Sequence, residues 1–110
     1  MSLSDIQKDV DNWTGQFTPQ YWEPLAMMTR LAEETGEVAR EMNHLHGPKK
    51  KKVSEETKEL HQELVDVIFT IVCIANSKGI NLQEEWDRAM REKMYGRDAN
   101  RFEKREQVSE

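Results

Sequence analysis

The sequence predicts an all-α fold, a four-helix bundle that associates with further copies of itself. Apolar residues recur at helical spacing along most of the chain, and no segment carries strand signals. The stretch from Leu64 to Ala75 is apolar on every side of a helix, with Asp66 and Thr70 as its clearly polar members. Such a helix is buried in its own core or in a partner's.

The composition indicates one small domain with a limited core. The chain has 110 residues, of which 34% are charged and 36% hydrophobic, and its net charge is −5. This acidic balance argues against binding to nucleic acid polymers, which need a basic surface. We assign residues 1–102 to the domain and residues 103–110 to a frayed C-terminal tail.

Three features favour a cytoplasmic protein. The single cysteine, Cys73, excludes an internal disulfide and fits a reducing compartment. The N-terminal segment lacks the basic and apolar regions of a signal peptide. The apolar run from Leu64 to Ala75 is shorter than the ~20 residues that span a membrane. We therefore expect no membrane association.

The first predicted helix begins at a cap formed by Ser2 or Ser4 and extends to about Trp13, with Ile6, Val10 and Trp13 facing the core. Gly15 and Thr18-Pro19 then break the helix.

Four of the eight aromatic residues lie in or beside this linker, at Trp13, Phe17, Tyr21 and Trp22. One interpretation is that they close the top of the bundle as core residues. The other is that one or two of them stack on a planar ligand such as a nucleobase. Trp13 and Phe17 are the preferred candidates for that contact.

Three further helices follow. The second extends from about Tyr21 to Leu45, the third from a Ser54 cap to Ser77, and the fourth from an Asn81 cap through Lys93. Between the second and third, Lys49–Lys52 form a solvated loop or attract an anionic ligand. The short connections favour antiparallel neighbours.

Carboxylates crowd the middle of the second helix. Its apolar positions 28, 31, 35, 38, 42 and 45 predict one inward stripe, and Glu34, Glu37 and Glu41 fall along one flank of it. Stacked carboxylates repel each other, and Gly36 in the same turn costs about 1 kcal/mol relative to alanine. Because both features destabilise the same helical turn, their presence indicates that this turn has a function besides folding.

The third helix offers a second carboxylate pair, Glu63 and Asp66, one turn apart. Because Asp66 lies in an apolar helix, it must be paired, protonated or bound to a cation. If the second and third helices lie side by side, Glu34 and Glu37 of the second helix can form an oxygen cage with the pair on the third. Mg²⁺ and Mn²⁺ prefer such ligands.

These two pairs carry a family resemblance. Glu33-Glu34-Thr35-Gly36-Glu37 followed by Glu63-Leu64-Val65-Asp66 is similar to the EExxE and ExxD motifs of the MazG-like all-α nucleoside triphosphate pyrophosphohydrolases. The chain most resembles their small stand-alone bacterial members, the YpjD type. The resemblance implies Mg²⁺-dependent hydrolysis of a (deoxy)nucleoside triphosphate to monophosphate and pyrophosphate, by a homodimer or homotetramer.

The same resemblance implies roles for individual residues. Glu34, Glu37, Glu63 and Asp66 would be the metal ligands, with Glu37 or Glu34 as the base. Lys93 and Arg97 match the basic residues that contact the substrate, and either would neutralise charge on the transferred phosphate. Glu33 lies farther from the core side of the helix and is expected at the surface, in a supporting position or at a partner chain.

The sequence is also compatible with two other classes of protein. Glu41-Met42-Asn43-His44 has the Glu-x-x-His spacing of carboxylate-bridged di-iron bundles, although it occurs once. Alternatively, the chain is a non-catalytic helical module that oligomerises through its apolar third helix.

Overall fold

The computed structural model describes residues 1–49 and 59–106 of the protein. Within these ranges the chain forms helices and loops and no strand, so the predicted all-α class is confirmed. The elements are α1 (Leu3–Thr14), α2 (Pro24–His46), α3 (Leu60–Ser77), α4 (Leu82–Arg88) and a π-helix (Ala89–Arg97). Helix α3 packs against α1 and α2, and α1 also packs against α4. Lys50–Lys52 and the predicted cap Ser54 lie outside the described residues.

Helix α1 begins at the predicted cap, Ser2. The Ser2 Oγ atom accepts a hydrogen bond from Asp5 N at 3.1 Å, and the Asp5 carboxylate accepts one from Ser2 N at 2.9 Å. The helix buries Val10 and Thr14, whereas Trp13, which was predicted to face the core, keeps 55% of its surface exposed. Its ring instead lies against Phe17 of the linker, with centroids 5.0 Å apart.

Helix α2 is rotated relative to the predicted stripe. Its buried residues are Met27, Glu34 and Glu41. Met28 and Met42, both predicted to face inward, are exposed. The prediction was wrong at these positions because it assumed that apolar residues face α3. Two carboxylates, Glu34 and Glu41, are buried on α2 instead, and Leu45 of the predicted stripe is exposed like Met28 and Met42.

Helix α3 begins at Leu60, later than predicted, after an N-cap at Glu59. By length and composition alone its 18 residues, with a mean hydropathy of 1.2, could cross a membrane. The sequence prediction counted only the shorter apolar run within this helix. Core helices of soluble proteins meet the same criterion, and α3 carries Glu63 and Asp66 and packs on two neighbours, so the criterion has little weight here.

The fourth helix changes type at Ala89, which the sequence did not predict. Asn81 caps α4 as predicted, because its Oδ1 accepts a hydrogen bond from Glu84 N at 3.1 Å. From Ala89 to Arg97 the backbone is π-helical, and Asp98 N closes this segment by donating to Lys93 O at 2.8 Å. π-Helical turns often occur at functional sites.

A polar network centred on Asn76 connects α1, the linker and α3. The Asn76 amide nitrogen donates to Gln7 O at 2.9 Å and to the Tyr21 hydroxyl at 3.0 Å. Its Oδ1 accepts from Gln7 Nε2 at 2.9 Å. The Tyr21 hydroxyl donates in turn to Asp11 Oδ1 at 2.7 Å. The network thereby fixes the linker against the end of α3.

The protomer buries little apolar surface by itself. In the described residues only Val10, Met27, Val72 and Ala75 are buried apolar side chains. Several apolar side chains of α3 are exposed, among them Val65 at 62% and Ile68 at 49%. The radius of gyration is 18.4 Å, whereas a compact domain of 100 residues has about 13 Å. Exposed apolar surface of this extent is typical of association sites.

We expect Asn76→Ala to lower the free energy of unfolding by about 1–3 kcal/mol, because it leaves Gln7 and Tyr21 without their shared partner. Asn12→Ala, on the exposed side of α1, is the matched control and should change stability little. Urea unfolding at one fixed protein concentration would measure both variants. Equal stabilities of the two variants would contradict a structural role for the network.

Candidate functional site

Three carboxylates converge where α2 faces α3. One oxygen each from Glu34, Glu63 and Asp66 lie within 4.8 Å of one another, the one such group among residues 1–49 and 59–106. Glu34 and Glu63 are buried, and Asp66 is half-buried. Glu63 and Asp66 share a face because they lie one turn apart on α3. Carboxylates this close and this buried repel each other strongly unless positive charge lies near them.

The surroundings of Glu34 indicate what kind of charge fits. Glu34 Oε1 lies 2.9 Å from Arg30 Nε. Glu34 Oε2 is buried and makes no hydrogen bond to any described residue. A buried acceptor without a donor is costly, and a cation would remove that cost. Because all three donors are carboxylates, the group fits a hard divalent cation such as Mg²⁺ or Mn²⁺.

The carboxylates open onto a cleft of about 400 Å³ formed by α1, the linker, α2 and α3. Glu34 and Asp66 line it together with Trp13, Phe17 and Phe69. Trp13 stands edge-on to both phenyl rings, with its centroid 5.0 Å from that of Phe17 and 5.9 Å from that of Phe69. Two of the four predicted metal ligands, Glu34 and Asp66, therefore line one cleft with both predicted aromatic contacts.

Two other cleft residues have raised pKa values. Burial raises the pKa of the Cys73 thiol, and burial is also the main cause of the raised pKa of the Tyr21 phenol. Both groups therefore stay protonated at neutral pH, and the Cys73 thiol is a poor nucleophile in this state. Their surroundings favour packing for Cys73 and hydrogen bonding for Tyr21 over covalent chemistry.

Glu37 lies outside the group of three carboxylates. Its side chain is exposed, three residues after Glu34 and therefore about 60° away around the helix. Glu41, seven residues after Glu34, returns to the buried face instead. Glu37 stays a predicted ligand and base. Glu33 is exposed, in line with its expected position away from the core side.

Lys93 and Arg97 do not line this cleft within the described part of the protomer. Both are exposed on the π-helix, which packs mainly with α4. Arg97 Nε lies 3.3 Å from Asp98 Oδ1, and this hydrogen bond lowers the pKa of Asp98. Both residues stay predicted substrate contacts.

Arg30 and Phe69 are among the cleft residues that sequence reasoning missed. Arg30 precedes Glu34 by four residues, and Phe69 follows Asp66 by three, so each lies one helical turn from a carboxylate of the cluster. This one-turn spacing from a predicted metal ligand was the sequence signal that could have identified both residues. Glu41 and His44 form a separate buried pair, with 3.8 Å between His44 Nδ1 and Glu41 Oε1, and they lie outside the three-carboxylate group.

The motifs and their geometry agree with the comparisons to known proteins. The MazG nucleotide pyrophosphohydrolase domain matches residues 22–102. The chain belongs to the MazG nucleotide pyrophosphohydrolase family. It is therefore a hydrolase that acts on nucleotides, as the sequence predicted. Helix α1 lies outside the matched range but lines the cleft of this MazG-family protein through Trp13 and Thr14.

Individual relatives support this assignment. The chain is 48% identical to YpjD of Bacillus subtilis (strain 168), an uncharacterised protein, over 96% of this chain and 95% of YpjD. A crystal structure of YpjD, described as a proposed pyrophosphatase, has a TM-score of 0.74 at 49% identity and covers 84% of this chain and 95% of that one. The crystal structure of the Bacillus-conserved MazG protein, a nucleotide pyrophosphohydrolase, has a TM-score of 0.71 at 42% identity, with 83% and 87% coverage.

We expect Asp66→Asn to weaken Mg²⁺ binding at least about tenfold, because it removes a charged oxygen donor from the three-carboxylate group. Isothermal titration of the protein with Mg²⁺, in the absence of nucleotide, measures this. Glu33→Gln removes one negative charge from an exposed position and should leave the affinity unchanged. Equal losses in both variants would indicate a general charge effect in place of a defined site.

Proposed function

We propose that this protein hydrolyses a (deoxy)nucleoside triphosphate to the monophosphate and pyrophosphate in the presence of Mg²⁺, for which Mn²⁺ can substitute. The observation that carries the proposal is the cluster of Glu34, Glu63 and Asp66 opening onto an aromatic cleft. A triphosphate needs positive charge, a nucleobase needs a flat apolar surface, and a cation-loaded cleft offers both.

In this proposal, one end of the cleft binds the metal ion and the other end binds the nucleobase. Glu34, Glu63 and Asp66, joined by Glu37, hold the divalent cation, which supplies charge neutralisation and polarises the phosphoryl group when bound. Trp13 and Phe17 stack on the base and so fix where the α-phosphate lies. The nucleotide is thereby oriented along the cleft from the aromatic side chains toward the carboxylates.

The hydrolytic step requires a base and positive charge. Water attacks the α-phosphorus, the bond to the pyrophosphate oxygen breaks, and a carboxylate accepts the proton of the water. We assign that carboxylate to Glu37 or Glu34. Lys93 and Arg97 neutralise charge on the phosphates. We also propose that the protein works in the cytoplasm, in keeping with its single cysteine, Cys73, which needs no disulfide partner.

A homo-oligomer, dimer or tetramer, belongs to the same proposal. The exposed apolar side chains of α3 would be covered by a second copy. Gly36 gives independent support: a Cβ atom there would meet nothing within 4 Å in the protomer, so no contact within the described chain explains a helix-weakening glycine. Close approach of a partner at Gly36 would explain it.

A non-catalytic association module is the second candidate, because the same exposed face of α3 could serve assembly alone. This candidate predicts that the carboxylates are dispensable. The di-iron bundle has less support, since the metal-compatible group among the described residues contains no histidine.

We expect the protein to release pyrophosphate and not orthophosphate from a panel of canonical and modified triphosphates, only when Mg²⁺ or Mn²⁺ is present. Glu63→Gln should lower kcat/KM by about a hundredfold or more, equivalent to about 2.7 kcal/mol of transition-state stabilisation. Glu33→Gln should retain the activity. Orthophosphate release, or full activity in Glu63→Gln, would reject the proposed reaction.

We expect the wild-type protein to sediment as a dimer or tetramer at micromolar concentration, and Ile68→Glu to shift it toward the 13.0 kDa protomer. A charge on an apolar contact surface is costly to bury. Ser77→Glu, at an exposed position on the last turn of the same helix, adds the same charge and should leave assembly intact. Far-ultraviolet circular dichroism confirms that both variants stay helical. A wild-type monomer would contradict the proposed assembly.

A further inference from the structure

Arg30 is the one basic side chain that lines the cleft within the described residues. It is about half exposed, and its Nε atom lies 2.9 Å from Oε1 of the buried Glu34. The sequence analysis assigned no role to Arg30. Its position in the wall of the cleft and beside a carboxylate of the cluster indicates a more specific role.

The order of the cleft residues along the two helices defines a direction. Along α2 the lining residues are Met27, Arg30 and Glu34, so Arg30 lies about 6 Å along the axis from Glu34, toward the apolar end. Along α3, Asp66 is followed by Phe69 and Cys73. Arg30 therefore lies between the carboxylates and the apolar part of the cleft, where the phosphates of a bound nucleotide would connect its two ends.

The charges near Arg30 change when a cation binds. In the described structure Glu34 Oε1 lies 2.9 Å from Arg30 Nε, and Glu34 also belongs to the group of three carboxylates. A dication held by Glu34 would compete with Arg30 for that carboxylate. The guanidinium would then need another anion, and its planar array of donors matches two oxygens of a phosphate.

The geometry points to Arg30 as a phosphate-binding residue that exchanges its partner Glu34 for the polyphosphate of the substrate. This inference rests on the proposed triphosphate substrate and goes beyond it by assigning a phosphate contact within the same protomer. Arg30 thus serves two states of the site. Without ligand it offsets the charge of Glu34, and with ligand it holds the phosphate chain over the carboxylates.

Inorganic tripolyphosphate is the appropriate probe, because it carries the phosphate chain without a base. Binding of tripolyphosphate in saturating Mg²⁺, and of Mg²⁺ alone, is measured by isothermal titration calorimetry. We expect Arg30→Gln to weaken tripolyphosphate binding by about 10- to 100-fold. Its affinity for Mg²⁺ alone should be unchanged or tighter, because a competitor for Glu34 has been removed.

Arg88→Gln is the matched control, because Arg88 is similarly exposed and forms an ion pair with Glu85 on α4, at 3.3 Å. It should bind tripolyphosphate as the wild type does. Arg30→Lys keeps the charge but not the fork of donors and should lose affinity to a smaller extent than Arg30→Gln. If Arg30→Gln does not fold, the lysine variant decides: reduced affinity supports the inference, and unchanged affinity overturns it.

The other outcomes are also decisive. Wild-type affinity of Arg30→Gln for tripolyphosphate, or no binding by the wild-type protein, overturns the inference. A parallel loss of Mg²⁺ and tripolyphosphate binding also overturns it, since Arg30 would then act only by positioning Glu34. If the wild type binds tripolyphosphate but releases no pyrophosphate from any triphosphate, the proposed function fails while the role of Arg30 is still measured.

Discussion

The close approach of Glu34, Glu63 and Asp66 is the constraint on which the rest of this structure depends. Like charges within 4.8 Å and largely out of water oppose the packing of α2 on α3. The two helices nevertheless pack together over much of their length. Among residues 1–49 and 59–106, Arg30 is the one basic side chain that lines the cleft, and one buried oxygen of Glu34 accepts no hydrogen bond from these residues. The fold therefore keeps in place a group whose repulsion a cation would relieve.

The parts of the chain around this cluster serve to hold it. Helix α3 carries two of the carboxylates and packs between α1 and α2. The Asn76 network fixes the linker, and the linker together with α1 supplies the aromatic wall of the cleft. The hydrogen bonds of Asn76 thus help to position the aromatic wall relative to the carboxylates.

The sequence was sufficient to predict the fold class and two of the helix caps, because the caps follow from local spacing and the class from periodicity. It predicted four converging carboxylates, of which Glu34, Glu63 and Asp66 lie together in the protomer, whereas Glu37 is exposed. The buried face of α2 could not be predicted in the same way. A hydrophobic stripe predicts which residues are buried, but not by which chain, and Met28 and Met42 are exposed in the protomer. Periodicity alone cannot distinguish a core within the chain from a surface for a second chain. The π-helix was missed because no local signal marks a change from α to π geometry.

The candidate phosphate-binding residues differ in whether they line the cleft of one protomer. Lys93 and Arg97 match the basic residues that the family resemblance implies but are not among the described residues that line the cleft, whereas Arg30 belongs to no motif and lines it. A phosphate contact on α2 moves with Glu34, since the two are one turn apart on a rigid helix. Contacts from the π-helix would depend on how another chain is placed. Under the proposals made above, binding of the polyphosphate by Arg30 therefore needs the fold of one chain, and contributions of Lys93 and Arg97 would need the arrangement of several.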